Sequence, residues 1–467
     1  MKARKLLLAG VTVGLALTVA SCGGNRTANY VVPEEGFDTS KQMTIKFYHT
    51  MGDSLQTELA TAIEAFEKDY PNVKVDSTQV GGYDDVRNQI VQQIPQNLEP
   101  HIAYCYPDHV ALYNKAKAAI QLDNLINDSK YGFTKEQLND FIPGYYEEGK
   151  QFGDGFMYTL PFSKSTEVLY YNKTEFEKND WEVPTTWQEM MTLCQNIKLL
   201  KEGDTEKYPN VIPLGIDSEA NLFITLCEQT GSKYTSATGD HYLFDNQKNW
   251  DMVEQFKTWH QAGLFTTQKI LDSYTSSLFT ATDKSKPYSF MSIGSTGGAS
   301  HQYPTGDAFE VGVAPIPVWN GGKLKVISQG PSLCLFNKAD PQEVLASWIF
   351  VKDYLLTSDF QAQFSYASGY NPVLKSAANG TLYGQGASGE DITYQEWLDK
   401  GEGTSSKGLI ALTAKLSSTL VDNYYTSPAF VGSSTARDQV GSLFVAAITN
   451  SKSVRDAFRD AIKECED

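Results

Sequence analysis

Apolar and polar residues alternate through positions 44–50, with Ile45 and Phe47 on one face. That period of two predicts a strand. The period then lengthens. Leu55, Leu59, Ile63, Phe66 and Tyr70 recur at helical spacing, Asp53 with Gln56 reads as a capping box, and Pro71 stops the helix. Val73 and Val75 open a second strand over 72–80. Strand, helix, strand is a βαβ unit, and such units build parallel sheets. The alternation continues with a polar helix over 83–98 and a buried strand over 102–106. Strands over 156–160 and 168–171 flank Pro161-Phe162-Ser163. Thr185 with Gln188 opens a helix to about residue 200, and strands follow over 311–314 and 326–327. Asp340 and Pro341 open another helix to about residue 356, with proline at the first helical position. Gly and Ser crowd 377–407, and helices close the chain over 438–448 and 454–464. The pattern predicts an α/β fold.

The first residues do not belong to that pattern. Lys2, Arg4 and Lys5 precede an apolar run from Leu6 to Val19, too short to span a bilayer, and Val19-Ala20-Ser21-Cys22 follows. Residues 1–21 read as a signal peptide. The ending resembles a bacterial lipobox, which implies lipidation at Cys22 and a lipid anchor in the membrane. Residues 22–40 lack periodicity and read as a tether.

Composition narrows the function classes. The 467 residues carry 56 acidic against 39 basic side chains, a net charge of −17. Such a surface argues against nucleic acid, which needs a basic footprint. The six cysteines show no metal-like spacing, and the six histidines are scattered, so no metal and no cofactor is expected. Neither G-x-S-x-G nor H-E-x-x-H occurs. Gly384-Gln385-Gly386-Ala387-Ser388-Gly389 fits the dinucleotide pattern formally, but follows no strand.

Open parallel sheets bind ligands at the carboxyl ends of their strands. Here those ends carry Tyr48-His49-Thr50, Ser163-Lys164-Ser165-Thr166 and Gly294-Ser295-Thr296. Hydroxyls pair with sugar edges and aromatic rings stack on sugar faces. Tyr48, Tyr83, Tyr106, Trp319 and Tyr370 are the candidate platforms.

The stretches 47–76, 144–176 and 183–190, with GVAPIPV, QGPSLCLFNKADP and SGYNPVLKSA further on, carry a family likeness. The chain resembles the extracellular solute-binding proteins of carbohydrate-type ABC importers. LPFSKSTEVLYYNK is the most distinctive block. The resemblance implies a two-lobed, type II periplasmic-binding-protein-like fold with the ligand cleft between lobes. It places lobe 1 at 41–163 and 328–369 and lobe 2 at 164–327 and 370–467. It implies no enzyme activity, a monomer, and delivery of solute to permease subunits driven by a cytoplasmic ATPase. With the lipobox, it places the protein on the outer face of the bacterial cytoplasmic membrane.

Within the family, the chain looks most like the branch that binds glycerol phosphate and glycerophosphodiesters. That likeness assigns ligand contacts to Tyr48 and His49 in FYHTM, Tyr83, Ser165, Ser295, Gly330 and Tyr370. Arg437 matches the phosphate-pairing arginine, and Asp108 is a shifted substitute for the branch's glutamate. Two other readings stand beside the importer: an exported glycoside hydrolase, and an adhesive or structural lipoprotein without a small ligand.

Overall fold

The computed structural model describes residues 27–466. The expected signal peptide and Cys22 lie outside the described residues. Within them, the first βαβ unit forms where the periodicity puts it. Strand β1 (Met43–His49) runs parallel to β2 (Val73–Gln79), with Met43 opposite Val73 and His49 opposite Gln79. Helix α1 (Asp53–Asp69) joins them and buries Leu59, Ala62 and Phe66. Its N-cap is Gly52, not Asp53. Asp53 is instead the first helical residue, where its charge still complements the helix dipole. The Gln56 amide turns to the Met51 carbonyl, 2.9 Å away, so the predicted box does not form.

Helix α2 (Tyr83–Gln93), strand β3 (Ile102–Cys105) and helix α3 (Pro107–Lys115) complete the parallel part of lobe 1. The sheet order is β2, β1, β3, Ser332–Leu335 and β4 (Leu160–Pro161), the last two strands pairing antiparallel. The strand predicted over 156–160 shrinks to its end. The Met157 carbonyl accepts from Leu122 N at 2.7 Å and Tyr158 N donates to Gly149 O at 3.0 Å, so loops use these groups instead of a ladder.

Lobe 2 is built around strand β5 (Ser165–Asn172). Met291–Ser295 and Val311–Pro315 flank it antiparallel, and Val326–Gln329 pairs with its first residues. Leu214–Ile216 and Phe265–Thr267 extend the sheet in parallel. The core packs Trp187, Phe223, Phe256, Phe444 and Phe458 from surrounding helices. The Trp187–Leu199 helix is capped one residue later than predicted. Thr186 Oγ1 accepts from Glu189 N at 3.2 Å, and Glu189 Oε2 accepts from Thr186 N at 3.1 Å. A charged residue at the third helical position outcompetes Gln188 because it also meets the helix dipole.

The chain passes between the two sheets from β4 to β5 and from Val326–Gln329 to Ser332–Leu335, and Lys164 ties these passages to each other and to Asn371. Its backbone exchanges hydrogen bonds with Asn371, at 3.1 and 2.6 Å. Its ammonium is fully buried against Glu148, with the Gly330 carbonyl and Ser332 Oγ each at 3.0 Å. All three N–H donors thus have acceptors, as a buried charge requires.

The expected tether is corrected over most of its length. Tyr30 is 4% exposed and its hydroxyl donates to Pro341 O at 2.8 Å. Gln121 N donates to Ala28 O at 2.7 Å, and Gln342 Nε2 donates to Gly36 O at 2.8 Å. Residues 28–40 are therefore a strap docked on lobe 1. Low periodicity suggests freedom, but an aromatic anchor and backbone pairing hold this segment. The five described cysteines are free and buried, as small apolar residues.

Candidate functional site

The site begins where helices start. After β2, Gly82 turns the chain and Asp85 Oδ2 accepts from Gly82 N at 2.8 Å, opening α2 at Tyr83. After β3, Pro107 opens α3 and Asp108 Oδ1 accepts from His109 N at 3.0 Å. From lobe 2, Gly432 takes a left-handed φ of +106° and opens the Ser433–Ile448 helix. These three starts, with Glu148, Tyr234, Tyr274 and Ile327–Gln329, line a cavity of about 560 Å³ between the lobes.

Lobe 1 contributes an aromatic wall. The Tyr83 and Tyr106 rings lie 4.5 Å apart, and Tyr83 stacks at 5.9 Å on Tyr104, whose hydroxyl meets Ser163 Oγ at 2.8 Å. Burial holds the Tyr83 and Tyr106 hydroxyls well above the usual phenol range, so both remain neutral donors. Cavity-lining Thr235 Oγ1 and Ser328 Oγ are buried without a protein partner. Such groups suit a hydroxylated ligand, because leaving them unpaired is costly.

Lobe 2 contributes the cation. Arg437, in the second turn of its helix, donates from one terminal nitrogen to Asn221 Oδ1 and to Gln329 Oε1, the latter at 2.9 Å. Both acceptors are neutral amides. Among the described residues no carboxylate lies within ion-pair distance of Arg437, whereas Arg87, also on the cavity wall, is bound to Asp84 at 2.9 Å. Asp85 and Asp108 are occupied by backbone N–H groups at their helix starts. Asp438 is pushed up by burial and by Asp84, which favours its neutral form. Arg437 is therefore the cavity-wall guanidinium without a carboxylate partner among the described residues.

The expected contacts separate into three groups. Tyr83, Asp108 and Arg437 line the cavity. Tyr370 stands near Tyr83 without lining the cavity, its ring lying over Gly297, where an added Cβ would approach to 2.9 Å. Ser165, Ser295 and Gly330 stand behind the wall. Ser165 is 3% exposed, and Ser295 Oγ accepts from Gly297 N at 3.2 Å. Gly330 has φ +109° and no room for a Cβ, which would sit 2.5 Å from Ser163 O. Its glycine serves the crossover.

Tyr48 and His49 are corrections. Both side chains are buried in lobe 1 and neither lines the cavity. Tyr48 packs with Val86, Ile90 and Tyr113 and accepts from Gln93 Nε2 at 3.3 Å. His49 Nδ1 accepts from Met51 N at 3.2 Å, and burial pushes the ring down to about 4, leaving it neutral. Trp319 is likewise a core contact, stacked 6.2 Å from Phe256. Sequence reasoning missed Tyr234, Tyr274, Asn221 and Gln329. None has a local signature, since each reaches the site only through the lobe-2 fold.

Residues 61–388 match the model of a family described as bacterial extracellular solute-binding protein. The chain belongs to this family. The family consists of binding proteins rather than enzymes, so the hydrolase alternative falls. The protein is 24% identical over 379 residues to the sn-glycerol-3-phosphate-binding periplasmic protein UgpB of Escherichia coli strain K12, covering 78% of this chain and 83% of that one. UgpB from Mycobacterium tuberculosis, solved in complex with glycerophosphocholine, superposes with a TM-score of 0.67 at 16% identity, covering 91% of this chain and 98% of that one. The GacH receptor of Streptomyces glaucescens gives 0.68 at 15%, covering 91% and 99%. These solved structures share the two-lobed fold of this solute-binding protein. No helix among its described residues is long and apolar enough to cross a membrane.

Proposed function

We propose that this protein captures a carbohydrate-class solute bearing an anionic group, with glycerophosphodiesters as the leading candidates, and delivers it to the permease subunits of an ABC importer. The observation that carries the reading is Arg437, a cleft guanidinium held by amide oxygens alone. Guanidinium pairs bidentately with phosphate oxygens, and hydrogen bonds to amides leave its charge uncompensated. The tyrosine wall and the unpartnered hydroxyls provide for an uncharged polyol or sugar portion. The UgpB relatives, named for sn-glycerol 3-phosphate, support the same class.

In this reading the lobes, 41–163 with 328–369 and 164–327 with 370–467, close on the solute as two bodies. Ligand bridging both lobes stabilises the closed form by its differential affinity. The protein acts as a monomer, and lipidated Cys22 keeps it at the outer face of the cytoplasmic membrane, near the permease. Cys22→Ala is expected to release it from the membrane fraction; retention on washed membranes would refute the anchor.

Thermal unfolding against glycerol 3-phosphate, glycerophosphocholine, maltose and maltotriose tests the ligand class. A ligand at 100 times its Kd adds about 2.7 kcal/mol to stability, an easily read rise in Tm. A rise with the phosphorylated compounds is expected. A rise with the neutral sugars alone would reject the anionic reading.

A further inference from the structure

Behind the cavity wall lies a carboxylate that the binding reading does not use. Glu167, on β5, is 4% exposed, and its backbone pairs opposite Ser295. Its Oε1 accepts from Asn221 Nδ2 at 2.5 Å and from Gln329 Nε2 at 3.4 Å. These are the same two amides whose oxygens receive the Arg437 guanidinium. Each amide is therefore a bridge, donating to the carboxyl on one side and accepting from the guanidinium on the other.

That arrangement has a direction. An Asn or Gln amide can rotate by 180°, exchanging its oxygen for its NH₂. Rotated, either bridge would aim N–H donors at a cation. An acceptor at the Glu167 position rewards the orientation that serves Arg437 and penalises the other. We propose that Glu167 is a positioning residue for Arg437, and that the charge on its carboxyl sets how strongly the cleft takes an anionic solute relative to a neutral one. The inference rests on the anion-binding reading given above.

The charge is adjustable because of the surroundings. Burial pushes the Glu167 carboxyl up to about 7; nearby Asp217 adds to the rise, while Asn221 and Arg437 oppose it. Asp217 is itself held by Thr275, with Oδ1 2.6 Å from the Thr275 amide nitrogen. On the same strand Tyr170 donates to Ser295 O at 3.2 Å, and on the Asn221 helix Glu219 is engaged by Lys269 N at 2.8 Å. Asp438 neighbours Arg437 on its own helix. Arg437 is thus the cation that Glu167 senses, and Asp217 the main anion. A bound anion near Arg437 repels ionised Glu167 and favours its protonated form. By linkage, affinity for an anion is greatest below the midpoint and falls as the pH rises through it.

The test uses the mature chain and glycerophosphocholine, whose diester phosphate lacks the second ionisation of a monoester, with maltose as the neutral comparator. In the unaltered protein, Kd for glycerophosphocholine is expected to rise roughly 3- to 10-fold between about pH 6 and about pH 8. Glu167→Gln retains an amide oxygen as acceptor without the charge, so its binding should stay tight and flat with pH. Glu167→Leu removes the acceptor and should bind weakly at every pH. Any binding of maltose should not vary with Glu167. In the ligand-free protein, the Glu167 carboxyl carbon should titrate near neutrality by NMR, and Arg437→Met should move that midpoint upward.

A flat pH profile in the unaltered protein overturns the role of Glu167 alone, as does a Glu167 midpoint that ignores Arg437→Met. Absence of glycerophosphocholine binding at every pH overturns the anion-binding reading itself, and this role with it. Both measurements on the unaltered protein remain decisive if a variant fails to fold.

Discussion

Arg437→Met is expected to weaken glycerophosphocholine binding by about 2–4 kcal/mol, roughly 30- to 1000-fold, as read by calorimetric titration. The loss comes from two sources. The ligand's anion loses its charge-assisted hydrogen bonds, and Asn221 and Gln329 are left with carbonyls turned into the cleft. Arg437→Lys should fall between the two, since an ammonium keeps the charge but not the planar fork. Unchanged affinity in Arg437→Met would remove the arginine from the site and end the anionic reading.

Lys164→Met should destabilise the ligand-free protein by about 3–5 kcal/mol in urea unfolding at neutral pH. Methionine fills much of the space but leaves the buried Glu148 carboxylate without its cation. The penalty is therefore mostly that of an orphaned charge rather than of a lost contact. Lys164→Met combined with Glu148→Leu should recover at least half of it, because removing both partners of a buried pair costs far less than removing one. A single-variant loss below about 1 kcal/mol would show that the pair contributes little at this crossover.

The sequence announced these features unevenly. The βαβ opening was legible because its two periodicities are local and strong, and Pro341 marked its helix because proline suits the first turn. Cap positions slipped by a residue at Thr185, where Glu189 pairs with Thr186, and at Asp53, where Gly52 takes the cap without a side-chain bond. Tyr48 and His49 looked like site residues because they end a parallel strand. Whether a side chain at a strand end reaches a cleft depends on what packs over its face, and here Val86, Ile90 and Tyr113 of α2 and α3 pack with Tyr48. Arg437 was found by likeness to a family pattern. Its supports were not, since Asn221 and Gln329 lie 216 and 108 residues from it along the chain. No window of sequence contains such a cluster; only the sheet of lobe 2 and the helices packed on it assemble it.

The strap formed by residues 28–40 has a bearing on how the molecule stands. Thr27, just before it, already accepts from Asn337 Nδ2 through its carbonyl at 2.7 Å, so with the proposed lipid on Cys22 the chain between anchor and lobe 1 can reach no further than about 18 Å. That lobe would keep close to the bilayer with restricted orientation, while lobe 2 would make most of the excursion as the cleft opens and shuts. The protein would then work as a jaw with one side moored, presenting its solute from a nearly constant height above the transporter.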